Sequence, residues 1–158
     1  VRSRGLGDVY KRQPYMYWWS GSMRSDDCYK GGGGVADAVG SFGNISLFTY
    51  VNPNTGALDG TWYNSYQVIQ RCNTAIQRMA NFTEEELPNK NSFMGEMLFI
   101  RSFTLYRLKK LWKYVPYIDE NVVGMSDAFE AVPNRELDKG NDLYLWQRIL
   151  DDLSLIHI

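Results

Sequence analysis

Histidine and cysteine are scarce in this chain of 158 residues, which contains one histidine, His157, and two cysteines, Cys28 and Cys72. Two cysteines and one histidine do not make a structural zinc site of the usual four-ligand composition. Long apolar runs are also missing, because none approaches the roughly 18–20 residues that a membrane-spanning helix needs. The sequence therefore predicts neither a metal site nor a spanning segment.

Both ends of the chain look like translated sequencing adapter. Residues 8–13 read DVYKRQ, and one choice of codons for them is the reverse complement of DNA that encodes LSLIHI, which is residues 153–158. The longer start, SRGLGDVYKRQ, is typical of the transposon adapter used to fragment DNA for sequencing. We therefore exclude residues 1–13 and 153–158 and take residues 14–152 as the native part.

Excluding these ends removes the single histidine and changes the charge balance. The whole chain has 17 basic and 18 acidic residues, and the excluded ends hold four basic residues and one acidic residue, so the native part has a net charge of −4. A net negative domain argues against a nucleic-acid partner, which needs a basic patch. Without histidine, a Ser-His or Cys-His catalytic pair is also excluded.

The first part of the native chain is expected to be irregular. Residues 14–60 are rich in Gly, Asn, Asp and Ser, and a brief run at Ser46–Val51 (SLFTYV) favours an extended strand. The following residues 52–56 (NPNTG) are a strong turn signal. We expect a loop-rich segment before the first long helix.

Helical periodicity predicts three helices, at about 60–80, 91–114 and 142–152. The predicted core face of the first holds Trp62, Tyr66, Ile69, Asn73, Ile76 and Ala80, and that of the third holds Leu143, Trp146, Ile149 and Leu150. Residues 81–90 form a polar connection with a short turn at Thr83–Leu87. A polar linker at residues 119–141 precedes the third helix.

The second predicted helix is apolar on two sides. Asn91 or Ser92 is its expected cap, and Pro116 is expected to end it. One stripe holds Phe93, Met97, Ile100, Thr104, Leu108 and Leu111, and another holds Leu98, Leu105 and Trp112. Such a helix is expected to lie between two layers. Helices without alternating strands predict an all-α fold, and paired helices that stack are typical of an α-solenoid.

Several segments resemble, in order and spacing, the N-terminal helices of the SusD/RagB family, whose helical region is similar to tetratricopeptide repeats. The matching residues are Ser25–Cys28 (SDDC), Trp62, Tyr66, Ile69, Asn73, the motif Glu96-x2-Phe99-x-Arg101-Ser102, Tyr106, Leu108, Trp112, Val115-Pro116 and the closing ILDDL. Ser102 stands where the family usually has Ala, and Lys113 where Gly is common. The match spans nearly all of residues 14–152, and it identifies them as the N-terminal part of a longer protein.

The resemblance implies a surface lipoprotein of the outer membrane, of the kind found in Bacteroidota. Such a protein binds an oligosaccharide or polysaccharide without cleaving it and delivers it to a TonB-dependent transporter, with no cofactor. The alternatives are a helical-repeat scaffold that binds only protein partners and the helical domain of a glycan-cleaving enzyme.

Most residues singled out by the pattern are expected to be structural. A buried guanidinium must be paired or hydrogen-bonded, so Arg101 is expected to hold the fold together. Glu96 lies about 140° around the helix from it and need not be its partner. The amide of Asn73 is expected to bind backbone groups of an adjoining segment. The aromatic residues at helical spacing are expected in the core: Trp62, Tyr66, Phe99, Phe103 and Trp112.

The loop at residues 26–34 is the candidate ligand site. It contains Asp26, Asp27, Tyr29 and Lys30 before a run of four glycines. Exposed glycine backbone approaches a ligand closely, and a sugar ring stacks on an aromatic face. The run KGGGG lacks the Lys-Ser/Thr ending of a phosphate loop. Acid pairs such as Asp151/Asp152 resemble glycosidase carboxylates, but adjacent acids at a helix end are expected to be solvated.

The resemblance also bears on the cysteines, because it places the protein outside the cytoplasm, where disulfides persist. Cys28 lies in a segment that can fold back over the first helix, which contains Cys72. A disulfide between them is one expectation, and two free, buried thiols are the other.

Overall fold

The computed structural model describes residues 21–25, 40–48, 51–52, 54–122 and 143–157. Its helices are α1 (Gly40–Ser46), α2 (Gly56–Ala80), α3 (Lys90–Leu111) and α4 (Leu143–Ser154), and a short 3-10 helix, Leu155–His157, follows α4. These described ranges contain no strand, and the predicted all-α fold is confirmed. The chain divides into two compact units, Val1–Thr61 and Trp62–Ile158.

Helix α1 lies in the first unit, where the sequence predicted loop and then strand. Ile45 in this helix is 2% exposed. Phe48 follows with a left-handed φ of 57°, and its N–H donates to the carbonyl of Ile45 at 3.3 Å. For the described residues 46–48 the predicted strand at Ser46–Val51 is therefore wrong, because the closing turn of a helix uses the backbone groups that a strand would need for a partner.

The turn predicted before α2 is present and sets the start of that helix. The N–H of Thr55 donates to the carbonyl of Asn52 at 2.9 Å, and the N–H of Asn52 donates to the hydroxyl of Thr55 at 3.0 Å. The carbonyl of Thr55 then accepts from the N–H groups of Leu58 and Asp59. Helix α2 consequently begins at Gly56, four residues before the predicted start.

The connection between α2 and α3 holds the expected turn at Thr83–Leu87. The N–H of Thr83 donates to Glu86 at 2.9 Å and the N–H of Glu86 donates to the hydroxyl of Thr83 at 3.3 Å, as in a capping box. Helix α3 begins at Lys90, so the cap predicted at Asn91 or Ser92 is wrong. Asn89 occupies that position with a φ of 68°, a conformation that asparagine tolerates.

Helix α3 ends at Leu111, before the end predicted at residue 114 and well before Pro116. Trp112 is extended, and its N–H still donates to the carbonyl of Leu108 at 2.9 Å. The extended backbone brings the Trp112 ring against Trp62 of α2, with ring centroids 5.2 Å apart. We call residues 112–120, which leave α3 in this way, the strap.

The core of the second unit joins α2, α3, the strap and α4. Its buried members are Ile69, Leu105, Leu108, Val115, Leu145 and Ile149. Trp62, Tyr66, Trp112, Tyr117, Trp146 and Leu153 pack around them while partly exposed. Three of these residues, Trp62, Tyr66 and Ile69, belong to the predicted core face of α2. Their burial agrees with the helical periodicity of the sequence.

The side of α3 that points away from this core is exposed. The prediction that the helix lies between two layers is therefore wrong for that side. Phe99 is 54% exposed and Phe103 is 43% exposed, although both were expected in the core. Phe93 and Ile100 are also exposed. Helix α4 packs on the side of α3 that holds Leu105 and Leu108.

The buried face of α4 also differs from the predicted one. Leu143 and Leu150 are more than half exposed, whereas Leu145 is fully buried and was missed. The buried residues Leu145, Ile149 and Asp152 follow the helical spacing of four and three. This face places an acidic residue against α3.

Candidate functional site

The main polar cluster of the second unit surrounds Arg101 of α3, which is 2% exposed. Its neighbours Leu98, Ser102 and Leu105 form the buried side of the helix, so packing carries the guanidinium inward. A charge removed from water is costly unless its hydrogen bonds are satisfied. The cluster is therefore defined by the groups that form hydrogen bonds or ion pairs with Arg101.

Asp152 of α4 is the principal partner of Arg101. Nε donates to Oδ2 at 2.8 Å and Nη2 donates to Oδ1 at 2.6 Å, so the two side chains meet as a planar fork. Asp152 is 3% exposed, and the expectation that it is solvated is wrong. The helical spacing from Leu145 and Ile149 puts it on the buried face, where Arg101 compensates its charge.

The third guanidinium nitrogen, Nη1, faces α2 and the strap. It donates to Oδ1 of Asn73 at 2.8 Å and to Oε2 of Glu120 at 2.6 Å. The Glu120 side chain is 33% exposed, so this side of the cluster reaches solvent. One arginine thus connects two helices and the strap to α3.

The carboxylate of Asp152 accepts further hydrogen bonds. The hydroxyl of Tyr117 in the strap donates to Oδ1 at 3.0 Å, and the hydroxyl of Ser102 donates to Oδ2 at 3.4 Å. The guanidinium of Arg101 also lies 5.6 Å from the centre of the Tyr117 ring. The negative charge of Asp152 is therefore surrounded by donors.

These contacts shift the titration of the groups involved. Burial alone would lower the pKa of Arg101, but Asp152 and Glu120 raise it further above its already high ordinary value. Burial alone would raise the pKa of Glu120, but the hydrogen bond from Arg101 lowers it overall. Burial, together with the neighbouring carboxylates, raises the pKa of Tyr117. The cation and Glu120 are held in their charged forms.

Two side chains of α2 fix the course of the strap by binding its backbone. The hydroxyl of Tyr66 donates to the carbonyl of Pro116 at 2.8 Å, and the amide of Asn73 donates to the carbonyl of Ile118 at 2.8 Å. Asn73 is fully buried, so both ends of its amide are used. Pro116 therefore lies within the strap and does not end α3.

The contacts of this cluster position α2, α4 and the strap against α3. Arg101 and Asp152 are buried and occupied by each other, which leaves neither available to a substrate. Within the described ranges no group of three His, Cys, Asp or Glu residues has the arrangement of a metal site. Among the helices of those same ranges, none combines the length and the apolar character needed to cross a membrane.

The predicted ligand residues Asp26, Asp27, Tyr29 and Lys30 lie outside the described residues, as does Cys28. Cys72 on α2 is a buried, free thiol in the structure. Burial raises the pKa of Cys72, and the nearby positive charge of Arg101 opposes this in part. Its pairing with Cys28 stays a prediction.

Among the residues predicted to be structural, Trp62 and Tyr66 pack against the core with ring centroids 4.9 Å apart. Glu96 is exposed and is not among the partners of Arg101. The sequence interpretation missed Tyr117, Glu120 and Asp152 as those partners. The ILDDL ending was a usable signal for Asp152, because its second acidic residue follows Ile149 at helical spacing.

An open groove runs along the outer side of α2. Its described lining residues are Gln70, Arg71, Thr74, Ala75, Arg78 and Met79. The hydroxyl of Thr74 donates back to the carbonyl of Gln70 at 2.8 Å, so that group is already used. The groove offers two guanidinium groups and one amide to solvent.

Comparison with known proteins identifies the family of this chain. Residues 41–155 match the model of a SusD-like family described as starch-binding and associating with the outer membrane. The chain is also 32% identical, over 99 residues, to SusD-like protein P2 of Formosa agariphila. That match covers 61% of this chain and 19% of the relative, so the chain spans about a fifth of the relative's length. Since the family model matches more than half of the chain, this chain belongs to the SusD-like family.

Proposed function

We propose that this chain belongs to a non-catalytic glycan-binding protein on the outer-membrane surface, which holds an oligosaccharide or polysaccharide for a TonB-dependent transporter. Membership of a family described as starch-binding and associating with the outer membrane carries the proposal. A lipid anchor at the surface is part of it, as the resemblance of the sequence implies. The transporter is the proposed partner.

The state of the acidic pair supports binding without cleavage. Asp152 is buried against Arg101, whereas Asp151 is exposed and accepts a hydrogen bond from Gln147 at 2.9 Å. A glycosidase places two carboxyl groups on opposite sides of one glycosidic bond, where both reach the substrate. This pair does not offer that arrangement, which disfavours the reading of the chain as the helical domain of a hydrolase.

We place the glycan contact of this chain at the loop of residues 26–34, with Tyr29 as the stacking surface. The polar and glycine-rich composition of the loop supports this placement. Asp26, Asp27 and Lys30 supply donors and acceptors for sugar hydroxyl groups. The buried cluster around Arg101 stabilises the helices and takes no part in contact with the sugar.

Native affinity electrophoresis through gels that contain plant or host polysaccharides tests the proposal. At least one polysaccharide is expected to retard the chain, and Tyr29→Ala is expected to weaken that retardation while leaving the melting temperature nearly unchanged. Tyr63→Ala is the matched control, because Tyr63 is 60% exposed on α2. Absence of retardation by every polysaccharide would favour a helical scaffold that binds protein partners.

A further inference from the structure

Helix α3 has a second apolar face, on the side that points away from the core. Its large apolar residues are between 39% and 54% exposed, and they are Phe93, Phe99, Ile100 and Phe103. At about 100° per residue, these positions fall within a sector of about 120° of the helix surface. The buried residues of α3 fall within the opposite sector: Leu98, Arg101, Ser102, Leu105, Leu108 and Lys109.

Two stacked rings form the centre of this outer face. The rings of Phe99 and Phe103 are nearly parallel, at an angle of 8°, and their centroids are 6.2 Å apart. Arg107 is half-buried, and its guanidinium lies 5.7 Å from the centre of the Phe103 ring. It already has contacts within the chain and is therefore only the edge of the face. Large apolar side chains grouped on one exposed helix side are typical of an interaction surface.

Helix α4 runs antiparallel to α3. Leu145, near the start of α4, shares the core with Leu105 and Leu108 of α3. Asp152, near the end of α4, binds Arg101, which lies earlier in α3. The direction of α4 is therefore from the C-terminal half of α3 towards its N-terminal half.

The end of α4 consequently lies beside the start of the outer face. A methyl group placed on Gly95 would be 3.7 Å from Cγ2 of Ile156, in the adapter-derived end of the chain. Gly95 is one helical turn before Phe99, at a position about 40° from it around the helix. Polypeptide that follows Asp152 thus leaves α4 at the N-terminal edge of the outer face.

The polypeptide expected at this edge is the protein's own continuation. The chain spans about a fifth of the length of its relative, and the resemblance of the sequence places residues 14–152 in the N-terminal part of a longer protein. Consecutive elements are usually adjacent in space and joined by short connections. A helix that turns back after α4 reaches the outer face of α3 by such a connection.

We infer that the first helix after α4 in the complete protein packs on the outer face of α3 and runs parallel to it. Phe99 and Phe103 are the centre of this contact, with Phe93 and Ile100 at its side. The helix α3 then lies between two layers, one made by the core described above and one made by the following helix. The surface left bare in this chain is the docking site for that helix.

The charge on the outer face agrees with this direction. Glu96 is exposed and lies within the same sector as the phenylalanines. A helix that turns back near Gly95 begins beside Glu96, and its first N–H groups are unpaired donors at the positive end of the helix dipole. A helix of the opposite direction would bring its negative end to this carboxylate. A parallel helix is therefore the better partner for Glu96.

Photochemical cross-linking in the complete protein, with native residues in place of residues 153–158, identifies the occupant of the face. p-Benzoylphenylalanine in place of Phe103 is expected to join the first helical segment after Asp152, as located by mass spectrometry, while the protein keeps the mass of a monomer. The same photoreactive residue in place of Tyr63, 60% exposed on α2, is the matched control and should not join that segment. A cross-link to a second copy, to another protein or only to a later segment would overturn the inference, as would the absence of any cross-link.

The melting temperature of the complete protein provides a second arm. Phe103→Asp is expected to lower it by several degrees, because a charge then lies in an apolar contact, whereas Tyr63→Asp should change it little. The decrease should be the same over a wide range of protein concentration, since a contact within one chain does not depend on association. An unchanged melting temperature in Phe103→Asp, or a decrease that depends on concentration, would contradict a contact within the chain.

Discussion

Arg101 and Asp152 lie 51 residues apart in the sequence, and they meet through two hydrogen bonds of 2.8 and 2.6 Å in the interior. The contact joins α3 to α4 and specifies the register of α4 on α3. A shift of α4 by one residue would turn the carboxylate by about 100° and break the planar pairing. The pair therefore fixes the register of the helix packing more than it adds raw stability.

Removing one member of this pair is predicted to be strongly destabilising. Asp152→Asn leaves the guanidinium of Arg101 buried with less compensation, and breaking a buried pair costs about 3–5 kcal/mol. The double variant Arg101→Met/Asp152→Leu is expected to lose less than the sum of its two single changes, because no charge is then left uncompensated. Urea denaturation followed by circular dichroism measures the free energies, and additive losses would contradict the coupling.

Acid is predicted to weaken the fold through Glu120. Its pKa is lowered in the folded state, overall because Arg101 donates to it. A lowered folded pKa means that the stabilisation is complete above the unfolded pKa of about 4.3 and is lost as the pH falls through the folded value.

The variant Glu120→Gln isolates this effect. The free energy of unfolding, measured between neutral and strongly acidic pH, should fall less steeply with acid in this variant than in the unsubstituted chain. Equal slopes would mean that Glu120 does not contribute. Because Glu120 is partly exposed, the effect is expected to shrink at high ionic strength.

The two contacts from α2 to the strap are predicted to differ in energy. Tyr66→Phe removes one hydrogen bond, to the carbonyl of Pro116, which is worth about 0.5–1.5 kcal/mol. Asn73→Ala should cost more, because its buried amide binds both Ile118 and Arg101. Hydrogen exchange should also show greater opening of the strap in Asn73→Ala. An equal loss in both variants would contradict this order.

The thiol of Cys72 is predicted to be unreactive in the folded chain. The residue is 3% exposed and burial raises its pKa, so little thiolate is available for reaction. Alkylation should be slow in native conditions and fast in denaturant, at a rate measured by mass spectrometry. Counting thiols under denaturing, non-reducing conditions also tests the predicted pairing with Cys28. Two free thiols per chain would exclude that disulfide.

The sequence predicted α2 well because only one side of that helix is apolar. Helix α3 was harder, since both of its sides carry large apolar residues and periodicity does not rank them. The choice is made by α4, which packs where Arg101 and Ser102 meet Asp152. A polar pair that spans 51 residues leaves no periodic signal, so the sequence predicted that both sides of α3 are buried.

Short helices and loop positions were not predicted from local sequence patterns. Helix α1 has seven residues and few strong helix formers, so its composition indicates loop. Asn89 starts α3 with a left-handed backbone and makes no side-chain cap, so the usual capping signal points to later residues. The turn before α2 was predicted correctly, because the turn chemistry of Asn52 and Thr55 is local, although α2 begins four residues before its predicted start.

The strap shows where this chain tolerates change. Tyr66 and Asn73 bind the carbonyls of Pro116 and Ile118, and every amino acid offers a carbonyl. Side chains at positions 116 and 118 can therefore vary while both hydrogen bonds persist. Inserting or deleting one residue between them would move one carbonyl out of reach. Selection on this segment is expected to preserve its length more strictly than its amino-acid sequence. Related proteins should therefore differ here by substitutions and seldom by insertions or deletions.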